Sequence, residues 1–307
     1  MRWLVGTVLM SVAVLCTDMV KPIPLKIDVD WQKAALGKKL FNDPILSRDN
    51  TVSCASCHDL SQGGDDGMPA SVGIGGAIGS INSPTVYNAV FNFRQFWDGR
   101  AKDLANQVYW SVENPKEMGE KMTHVVEKLK HHQWYKRRFE QLYEDGVTTA
   151  NISNAIAIYE TTLITPNAPF DRYLRGDENA ISKQAKEGYR LFKYKGCVIC
   201  HNGVNIGGNL FGKFGIYDDP KSRDLGRYHV THKETDKYVF KVPTLRNISK
   251  TAPYLHDGRT NSLAETVKLM TQLQLGRFMS DEEIEAIVAF LESLDGEIPA
   301  SAKRDAQ

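Results

Sequence analysis

Two short motifs contain four of the five cysteines of this 307-residue chain. They read Cys54-Ala-Ser-Cys57-His58 and Cys197-Val-Ile-Cys200-His201. C-x-x-C-H is the attachment signature of c-type haem: each thiol bonds one vinyl group of the porphyrin, and the histidine becomes the proximal iron ligand. The motifs therefore predict two covalently bound haems, with His58 and His201 as iron ligands, and a redox function.

The same cysteines allow three other interpretations. Two C-x-x-C motifs can hold one zinc ion if the two halves of the chain meet. They can also be thioredoxin-like redox motifs, which require a neighbouring βαβ pattern that is not evident here, or disulfides in an exported protein. None of these explains a histidine directly after each second cysteine, so the pattern favours haem.

Composition is typical of a soluble globular protein. Hydrophobic residues make up 42% of the chain and charged residues 24%. The length is sufficient for about two domains. The net charge of +1 offers no basic excess for phosphate contact, so we expect no nucleic-acid partner.

The N-terminus has the features of an export signal. Arg2 provides the positive start, and residues 3–16 are almost wholly apolar. That run is too short for a membrane-spanning helix, which needs about 20 residues. We assign residues 1–22 to a signal peptide and expect a periplasmic protein, since bacteria attach c-type haem outside the cytoplasm. Cys16 is either a lipidation site or part of the leader, and the bulky Leu15 before it favours the leader.

An internal repeat predicts two related haem domains. Gly37-Lys-Lys-Leu-Phe41 precedes the first haem motif, and Gly188-Tyr-Arg-Leu-Phe192 precedes the second. Pro166 and Pro169 mark a hinge after a helix. The predicted domains are an N-terminal haem domain over 23–165 and a C-terminal haem domain over 166–307.

Most other patterns are helical. An apolar stripe predicts a helix over 149–164, and Ser262-Leu-Ala-Glu265 and Ser280-Asp-Glu-Glu283 are capping boxes that open two more. Strand-like alternation is short, as in 238–242, and glycine and proline crowd 63–84 and 203–220. The expected fold class is mainly α, with two tandem cytochrome c-like haem domains and long ordered loops.

Several longer strings resemble the bacterial di-haem cytochrome c peroxidases over nearly everything after the leader. Besides the haem motifs they are Leu40-Phe-Asn-Asp-Pro44, Asn82-Ser-Pro-Thr-Val-Tyr-Asn88, Phe93-Arg-Gln-Phe-Trp-Asp-Gly-Arg100, Glu160-Thr-Thr-Leu-Ile-Thr-Pro166, Leu245-Arg-Asn247, Thr251-Ala-Pro-Tyr254 and Ile287-Val-Ala-Phe-Leu291.

The resemblance implies an oxidoreductase that reduces hydrogen peroxide to water. Electrons would come singly from a small cytochrome c or a copper protein (a cupredoxin). The N-terminal haem would be peroxidatic and the C-terminal haem would accept electrons. Because family members are often dimers, the resemblance also implies a homodimer.

The resemblance further implies specific site residues. A methionine sixth ligand raises the potential of an electron-accepting haem. Met270 and Met279 are close alternatives on spacing, and the family position decides for Met270. Glu117 matches the catalytic glutamate and Gln107 a distal glutamine, although on their own they would be a loop acid and a solvated helix residue. Trp97 matches the tryptophan between the haems, and by itself would be a core aromatic.

The resemblance also implies one calcium ion between the domains. Asn82, Thr251 and Pro253 match its site, where amide and carbonyl oxygens suit a hard cation. His256 matches a family position near the second haem, with its role left open.

The sequence departs from the family at two places. Many members have a histidine after the first haem motif that caps the peroxidatic iron until the other haem is reduced. Ile74 occupies that position and cannot bind iron, so we expect an open iron site as isolated, unless Met68 or a loop histidine substitutes. Tyr109-Trp110-Ser111 replaces a smaller Gly-Gly-Pro type sequence and is expected to crowd the distal region.

Two other functions remain as alternatives. One is a non-catalytic di-haem electron carrier, which would need neither Glu117 nor Gln107. The other is a di-haem enzyme that oxidises a residue on a partner protein. That branch tends to lack the capping histidine but uses a distal tyrosine where this chain offers Met270, so it ranks lower.

Overall fold

The computed structural model describes residues 19–218 and 220–303. Most of the predicted leader, including Cys16, lies outside the described residues. Across the described part, no helix is both long enough and apolar enough to cross a membrane.

Five helices of the N-terminal half enclose the first core. Asp30 caps the first of them, because its carboxylate accepts hydrogen bonds from the amides of Gln32 and Lys33 at 3.0 and 3.1 Å. Tyr159, Phe41 and other buried side chains from these helices meet in one cluster. The helices are α1 (Trp31–Asn42), α2 (Leu104–Glu113), α3 (Met122–His131), α4 (Gln133–Leu142) and α5 (Thr149–Thr161).

Helices of the C-terminal half enclose a second core. Ser280 forms the predicted capping box with Glu283, and Ser262 accepts a hydrogen bond from the amide of Glu265 at 3.3 Å. Phe170, Phe192 and Phe290 pack together at the centre. The helices are α6 (Pro169–Leu174), α7 (Lys183–Tyr194), α8 (Tyr228–Thr231), α9 (Leu263–Leu275) and α10 (Asp281–Glu292).

The mainly α fold with two haem-type domains is confirmed. The predicted helix over 149–164 ends earlier, at Thr161, although Leu163 is still buried in the first core. Strand is confined to β1 (Phe211–Lys213) and β2 (Val239–Lys241) among the described residues, paired antiparallel with Gly212 opposite Phe240.

The repeated glycines are the points where paired helices cross. A Cβ on Gly37 of α1 would lie 1.9 Å from the carbonyl oxygen of Ala155 in α5, and one on Gly188 of α7 would lie 1.8 Å from that of Ala286 in α10. Each crossing admits no side chain. The same close contact therefore sets the helix pair behind each haem motif.

The chain ends cross between the two halves. Val20 belongs to the second core, and the carbonyl of Ile23 accepts a hydrogen bond from Arg175. At the other end, Ala302 belongs to the first core and Lys38 Nζ donates to the carbonyl of Lys303 at 2.7 Å. The two halves are consequently tied together at both termini.

A polar seam joins the halves near the predicted boundary. Asn88 and Asn247 occupy equivalent left-handed turns, with φ of 60° and 59°. Their side-chain amides both donate to Thr165 Oγ1, at 2.8 and 2.9 Å. Thr165 is buried, so this shared acceptor fixes one half against the other.

Candidate functional site

The first C-x-x-C-H motif forms a tight turn behind α1. Residues Cys54–Ser56 make one turn of 3-10 helix, and the amide of His58 donates to the carbonyl of Cys54 at 3.1 Å. His58 Nδ1 lies 3.1 Å from the carbonyl oxygen of Gly64, while the ring packs 6.4 Å from that of Phe41. With Nδ1 engaged, Nε2 is the nitrogen free to bind a metal.

The second motif repeats this geometry. Cys197–Ile199 form the turn, the amide of His201 donates to the carbonyl of Cys197 at 3.0 Å, and the ring lies 6.4 Å from that of Phe192. The carbonyls of Ile206 and Pro243 face the His201 ring, although His201 Nδ1 makes no hydrogen bond of ordinary geometry. Burial lowers the pKa of His201 to about 4 and that of His58 below its usual range.

These features fit haem rather than zinc or disulfides. Burial favours the neutral form of both imidazoles, which is the form that binds a metal. Cys54, Cys57, Cys197 and Cys200 are free thiols, and burial raises their pKa values, which disfavours the thiolates that zinc binds. No group of three or more histidine, cysteine or acidic residues within 19–218 and 220–303 could hold a metal. The two motifs lie against separate cores, so a single shared zinc site is excluded.

The predicted catalytic side chains belong to one hydrogen-bond network. Gln107 Nε2 donates to Ser111 Oγ at 2.9 Å, and the Ser111 hydroxyl lies near enough to the Glu117 carboxylate to lower the pKa of that carboxyl. Asn114 Nδ2 donates to Glu117 Oε1 at 2.7 Å. Ser111 is thus a connecting residue that sequence analysis missed, although its position was noted as a departure from the family.

Burial dominates the electrostatics of Glu117. Loss of water contact raises the pKa of its carboxyl, against the opposing effects of the Ser111 hydroxyl, the Arg100 guanidinium and the Asn114 amide. Arg100 is itself held by Asp98 at 2.9 Å. The carboxyl therefore takes up a proton more readily than an exposed glutamate, which suits a group that accepts and returns one.

The loop carrying Ile74 packs directly on the Glu117 segment. The Ile74 amide donates to the carbonyl of Glu117 at 2.8 Å, and its side chain is buried in the first core close to Gly119. A Cβ on Gly73 would lie 2.0 Å from the carbonyl oxygen of Lys116. The position that carries the capping histidine in many family members here holds a hydrocarbon against the neighbouring loop.

Of the two aromatic residues expected to crowd the distal region, Tyr109 is partly buried against the first core, whereas Trp110 is turned towards solvent. Trp110 is 45% exposed and stands edge-on to Tyr109, with ring centroids 6.2 Å apart. The Tyr109 hydroxyl is hydrogen bonded to Glu113 and faces solvent, which raises its pKa. On a helix, successive residues point in different directions, so Ser111 faces Gln107 and Glu117 while Trp110 does not.

Trp97 lies where the two halves meet. Its Nε1 donates to the carbonyl of Asn82 at 2.9 Å, and its ring stands edge-on to His256, 6.2 Å between centroids. The ring also packs on a small cluster formed by Phe214, Phe240 and Leu273, which we call the Phe240 cluster.

The loops that carry Trp97 and His256 are themselves a repeat that sequence analysis missed. In both loops, Gln95–Ala101 and Tyr254–Thr260, the sequence Asp-Gly-Arg follows directly after Trp97 or His256. In both, the first and last residues of the loop form an antiparallel β-bridge, and the aspartate pairs with the arginine of the same loop. Phe96 and Leu255 have φ of 65° and 70° at equivalent positions. Asp-Gly-Arg appears twice in the sequence and could have revealed the relation.

The two methionines occupy different surroundings. Met270, in α9, packs on the Phe240 cluster with Trp97. Met279, in the segment between α9 and α10, packs against the second core. Met270 thus shares its surroundings with Trp97.

Of the predicted calcium residues, Asn82 bonds to His256, three residues after Pro253. The amide of Asn82 donates to the carbonyl of His256, and Asn82 Nδ2 donates to that of Met68, both at 2.8 Å. Thr251 and Pro253 lie on the adjoining segment with Ala252 between them. The peptide bond between Ala252 and Pro253 is cis.

A carboxylate that sequence analysis missed lies next to this segment. Asp65 is 4% exposed, and its Oδ2 is buried with no hydrogen-bond partner. A Cβ on Gly63 would touch both Asp65 Oδ1, at 2.4 Å, and the carbonyl oxygen of Lys250, at 2.5 Å. An orphaned carboxylate oxygen beside carbonyls fits a hard cation. Its sequence context, Asp65-Asp66, carried no distinctive spacing.

Comparison with known proteins identifies the family. A family model described as di-haem cytochrome c peroxidase matches residues 31–179, and one described as cytochrome c matches 185–295. Cytochrome c peroxidase Ccp of Escherichia coli strain K12 is 48% identical over 285 residues, which are 91% of this chain and 61% of that protein. Cytochrome c551 peroxidase of Nitrosomonas europaea is 44% identical over 300 residues, 96% of this chain and 89% of that protein.

The chain belongs to the di-haem cytochrome c peroxidase family. The predicted family and its haem cofactors are thereby confirmed, and the predicted enzyme class is supported. This chain spans about three fifths of the E. coli relative, since 61% of that protein is covered.

A solved structure shows the same fold. A MauG-like protein associated with microbial copper homeostasis superposes with a TM-score of 0.76 at 23% identity, covering 93% of this chain and 95% of that one. At this identity the likeness concerns the fold alone.

Proposed function

We propose that this protein is a periplasmic peroxidase that reduces hydrogen peroxide to two waters with two electrons and two protons. The observation that carries the proposal is the network joining Gln107, Ser111, Glu117 and Asn114 on the same side of the molecule as the first core. An electron carrier has no use for a buried carboxylate in such a network. The family membership of the chain supports the same function.

Cys54 and Cys57, and Cys197 and Cys200, would hold the two haems through thioether bonds, and His58 and His201 would bind their irons. When bound, the first haem supplies an iron atom with an open position and electrons for O–O bond cleavage. Glu117 accepts the proton from the near peroxide oxygen and returns it to the leaving oxygen. Asn114 and Ser111 hold its carboxylate in place, and Gln107 orients the peroxide.

Electrons enter through the C-terminal domain. Met270 would bind the iron of the second haem, and that haem would supply the redox centre for single electrons from a small cytochrome c or cupredoxin. Trp97 lies between the domains, in contact with both the His256 ring and the cluster that holds Met270. The domain division 23–165 and 166–307, a signal peptide and a homodimer complete the proposal. Because Val20 packs in the second core, the proposed leader ends before Val20 rather than at residue 22.

Ile74 implies an enzyme that can bind peroxide in the fully oxidised form in which it is isolated. Its side chain has no ligand atom and is buried beside the Glu117 segment. Ile74 would therefore leave the iron of the first haem accessible to peroxide without prior reduction of the second.

A calcium ion bound by Asn82, Thr251 and Pro253 would stabilise the junction between the domains. The orphaned Oδ2 of Asp65 supports this site, because a buried carboxylate oxygen without a partner is costly unless a cation or donor meets it.

Peroxide turnover with a reduced small cytochrome tests the function. Glu117→Gln keeps the shape of the side chain and removes the proton acceptor, so kcat/KM for peroxide should fall by about 10²–10⁴-fold with both haems retained. Glu144→Gln, an exposed acid in the same half, is the matched control and should leave the rate unchanged.

An unchanged rate in Glu117→Gln would contradict the mechanism. Wild-type protein that carries two haems and accepts electrons, yet turns over no peroxide, would favour the electron carrier.

A further inference from the structure

Lys241 is a buried cation to which neither the fold nor the proposed mechanism assigns a partner. It is 5% exposed at the end of β2. Among the residues that the structure describes, no acceptor, carboxylate or aromatic ring pairs with its ammonium group. Burial alone accounts for its pKa, which is lowered to about 8. Lysines are almost never fully buried without a partner.

The other deeply buried cation shows how this chain treats such charges. Arg246 is fully buried and donates to Asp171 Oδ1 at 2.6 Å, to the carbonyl of Val204 at 3.0 Å and to that of Lys21 at 2.9 Å. Desolvating an ammonium group without a counter-charge costs several kcal/mol. An anion that is not part of the polypeptide would remove that cost for Lys241.

The position of Lys241 identifies the anion. Its amide donates to the carbonyl of Trp97 at 2.7 Å. Its neighbour Phe240 belongs to the cluster that holds Met270, and two residues further on the carbonyl of Pro243 faces His201. Residues 240–243 thus run from the expected sixth ligand of the second haem to its proximal histidine. The porphyrin of a c-type haem carries two propionate carboxylates.

We propose that the Lys241 ammonium binds a propionate carboxylate of the haem attached at Cys197 and Cys200. This inference rests on the proposed haem attachment but not on peroxidase activity. Lys241 is then a residue that positions the second haem and also raises the reduction potential of that haem. A cation near the porphyrin disfavours the ferric state, which carries one more positive charge than the ferrous state.

A potentiometric titration of the holoenzyme, with the two haems resolved, tests the proposal. Lys241→Met removes the charge at similar length. At a fixed potential, the ratio of reduced to oxidised second haem should fall about tenfold, a shift of 59 mV for one electron. Lys241→Arg keeps the charge, so the reduction potential of its second haem should stay close to that of wild type.

The control is Lys213→Met in β1, which removes the same charge from an exposed position on the same ribbon. It should shift the potential far less, because solvent screens exposed charges. An unshifted second haem in Lys241→Met, equal shifts in both methionine variants, or a shift confined to the first haem would each overturn the proposal.

The readout separates this proposal from the proposed function. A two-haem protein whose Lys241→Met variant titrates like wild type overturns the propionate contact alone, whatever its peroxide turnover. If Lys241→Met loses haem while Lys213→Met keeps it, measured by haem content per chain, the contact is supported as well. If Lys241→Arg shifts the potential as far as Lys241→Met, the charge is not what acts there.

Discussion

At the scale of single residues, the distal chemistry depends on a serine that lies between two side chains, Gln107 and Glu117. Ser111 accepts a hydrogen bond from Gln107, and its hydroxyl favours the charged form of the Glu117 carboxyl, so it can hold the carboxylate and the glutamine in a fixed relation. Preorganised hydrogen bonds of this kind lower the cost of aligning groups for proton transfer.

Ser111→Ala should lower kcat/KM for peroxide without loss of haem. A hydrogen bond to a charged group contributes about 1.5–3 kcal/mol, which corresponds to roughly a 10–100-fold slower reaction. Steady-state kinetics with a reduced cytochrome measures the change. Ser111→Thr keeps the hydroxyl and should retain most of the rate; equal rates in Ser111→Ala and wild type would show that the network is not used.

The raised pKa of Glu117 predicts the acid side of the pH profile. Burial favours the protonated carboxyl, and a protonated carboxyl cannot accept a proton from peroxide. Activity should therefore be lost, as pH falls, at a higher pH than the usual glutamate pKa of about 4.3. The dependence of kcat/KM on pH in wild type and Glu117→Gln checks this: the variant should lack that limb, and a shared limb would assign it to another group.

At the scale of elements, the helix crossings behind the haem motifs restrict the residues at the crossing points to glycine. The repeat ending in Leu-Phe predicted related helices, because amphipathic spacing and repeated strings are visible in one dimension. The role of Gly37 and Gly188 was not predicted, since the carbonyls of Ala155 and Ala286 that they approach lie about a hundred residues away in sequence.

Gly188→Ala should destabilise the C-terminal domain, although alanine usually favours a helix. Its Cβ would lie 1.8 Å from the Ala286 carbonyl oxygen, and overpacking of this kind costs about 1–3 kcal/mol. Denaturant unfolding of the holoprotein, followed by haem absorbance, measures the loss. Gln184→Ala, exposed on the same helix, should change the free energy of unfolding by less than about 0.5 kcal/mol; similar values for both variants would contradict the crossing.

In the functional site, too, some residues could be predicted from the sequence and others could not. The haem motifs could be singled out from the sequence because residue type and spacing carry their chemistry, whereas Glu117 and Gln107 were reached only through the family resemblance. Asp65 and Lys241 could not be found, because burial and missing partners define them, and both appear only when the chain is folded. Ser111 was missed because its closeness to Gln107 and Glu117 depends on the folded chain.

At the scale of the whole molecule, the two halves are joined at several points. Val20 packs in the second core and Ala302 in the first, Thr165 binds asparagines from both halves, and the amide of Asn82 donates to the carbonyl of His256. The sequence predicted two domains but not these exchanges, since nothing local specifies which core a terminal segment joins.

Calcium removal should weaken this junction. Isothermal titration of chelator-treated holoenzyme should show one calcium site, and Asp65→Asn should bind the ion at least tenfold more weakly, because it removes a buried negative charge. Asp49→Asn, an exposed acid in the same half, is the control. Equal affinity in wild type and Asp65→Asn would place the ion, if it binds, away from Asp65.

The most direct test of the central claim is the EPR spectrum of the fully oxidised holoenzyme, before any reductant is added. With Ile74 at the capping position, we expect one high-spin ferric haem, which is open to peroxide, and one low-spin haem with histidine and methionine ligands. Two low-spin haems as isolated would contradict an enzyme that is ready to bind its substrate.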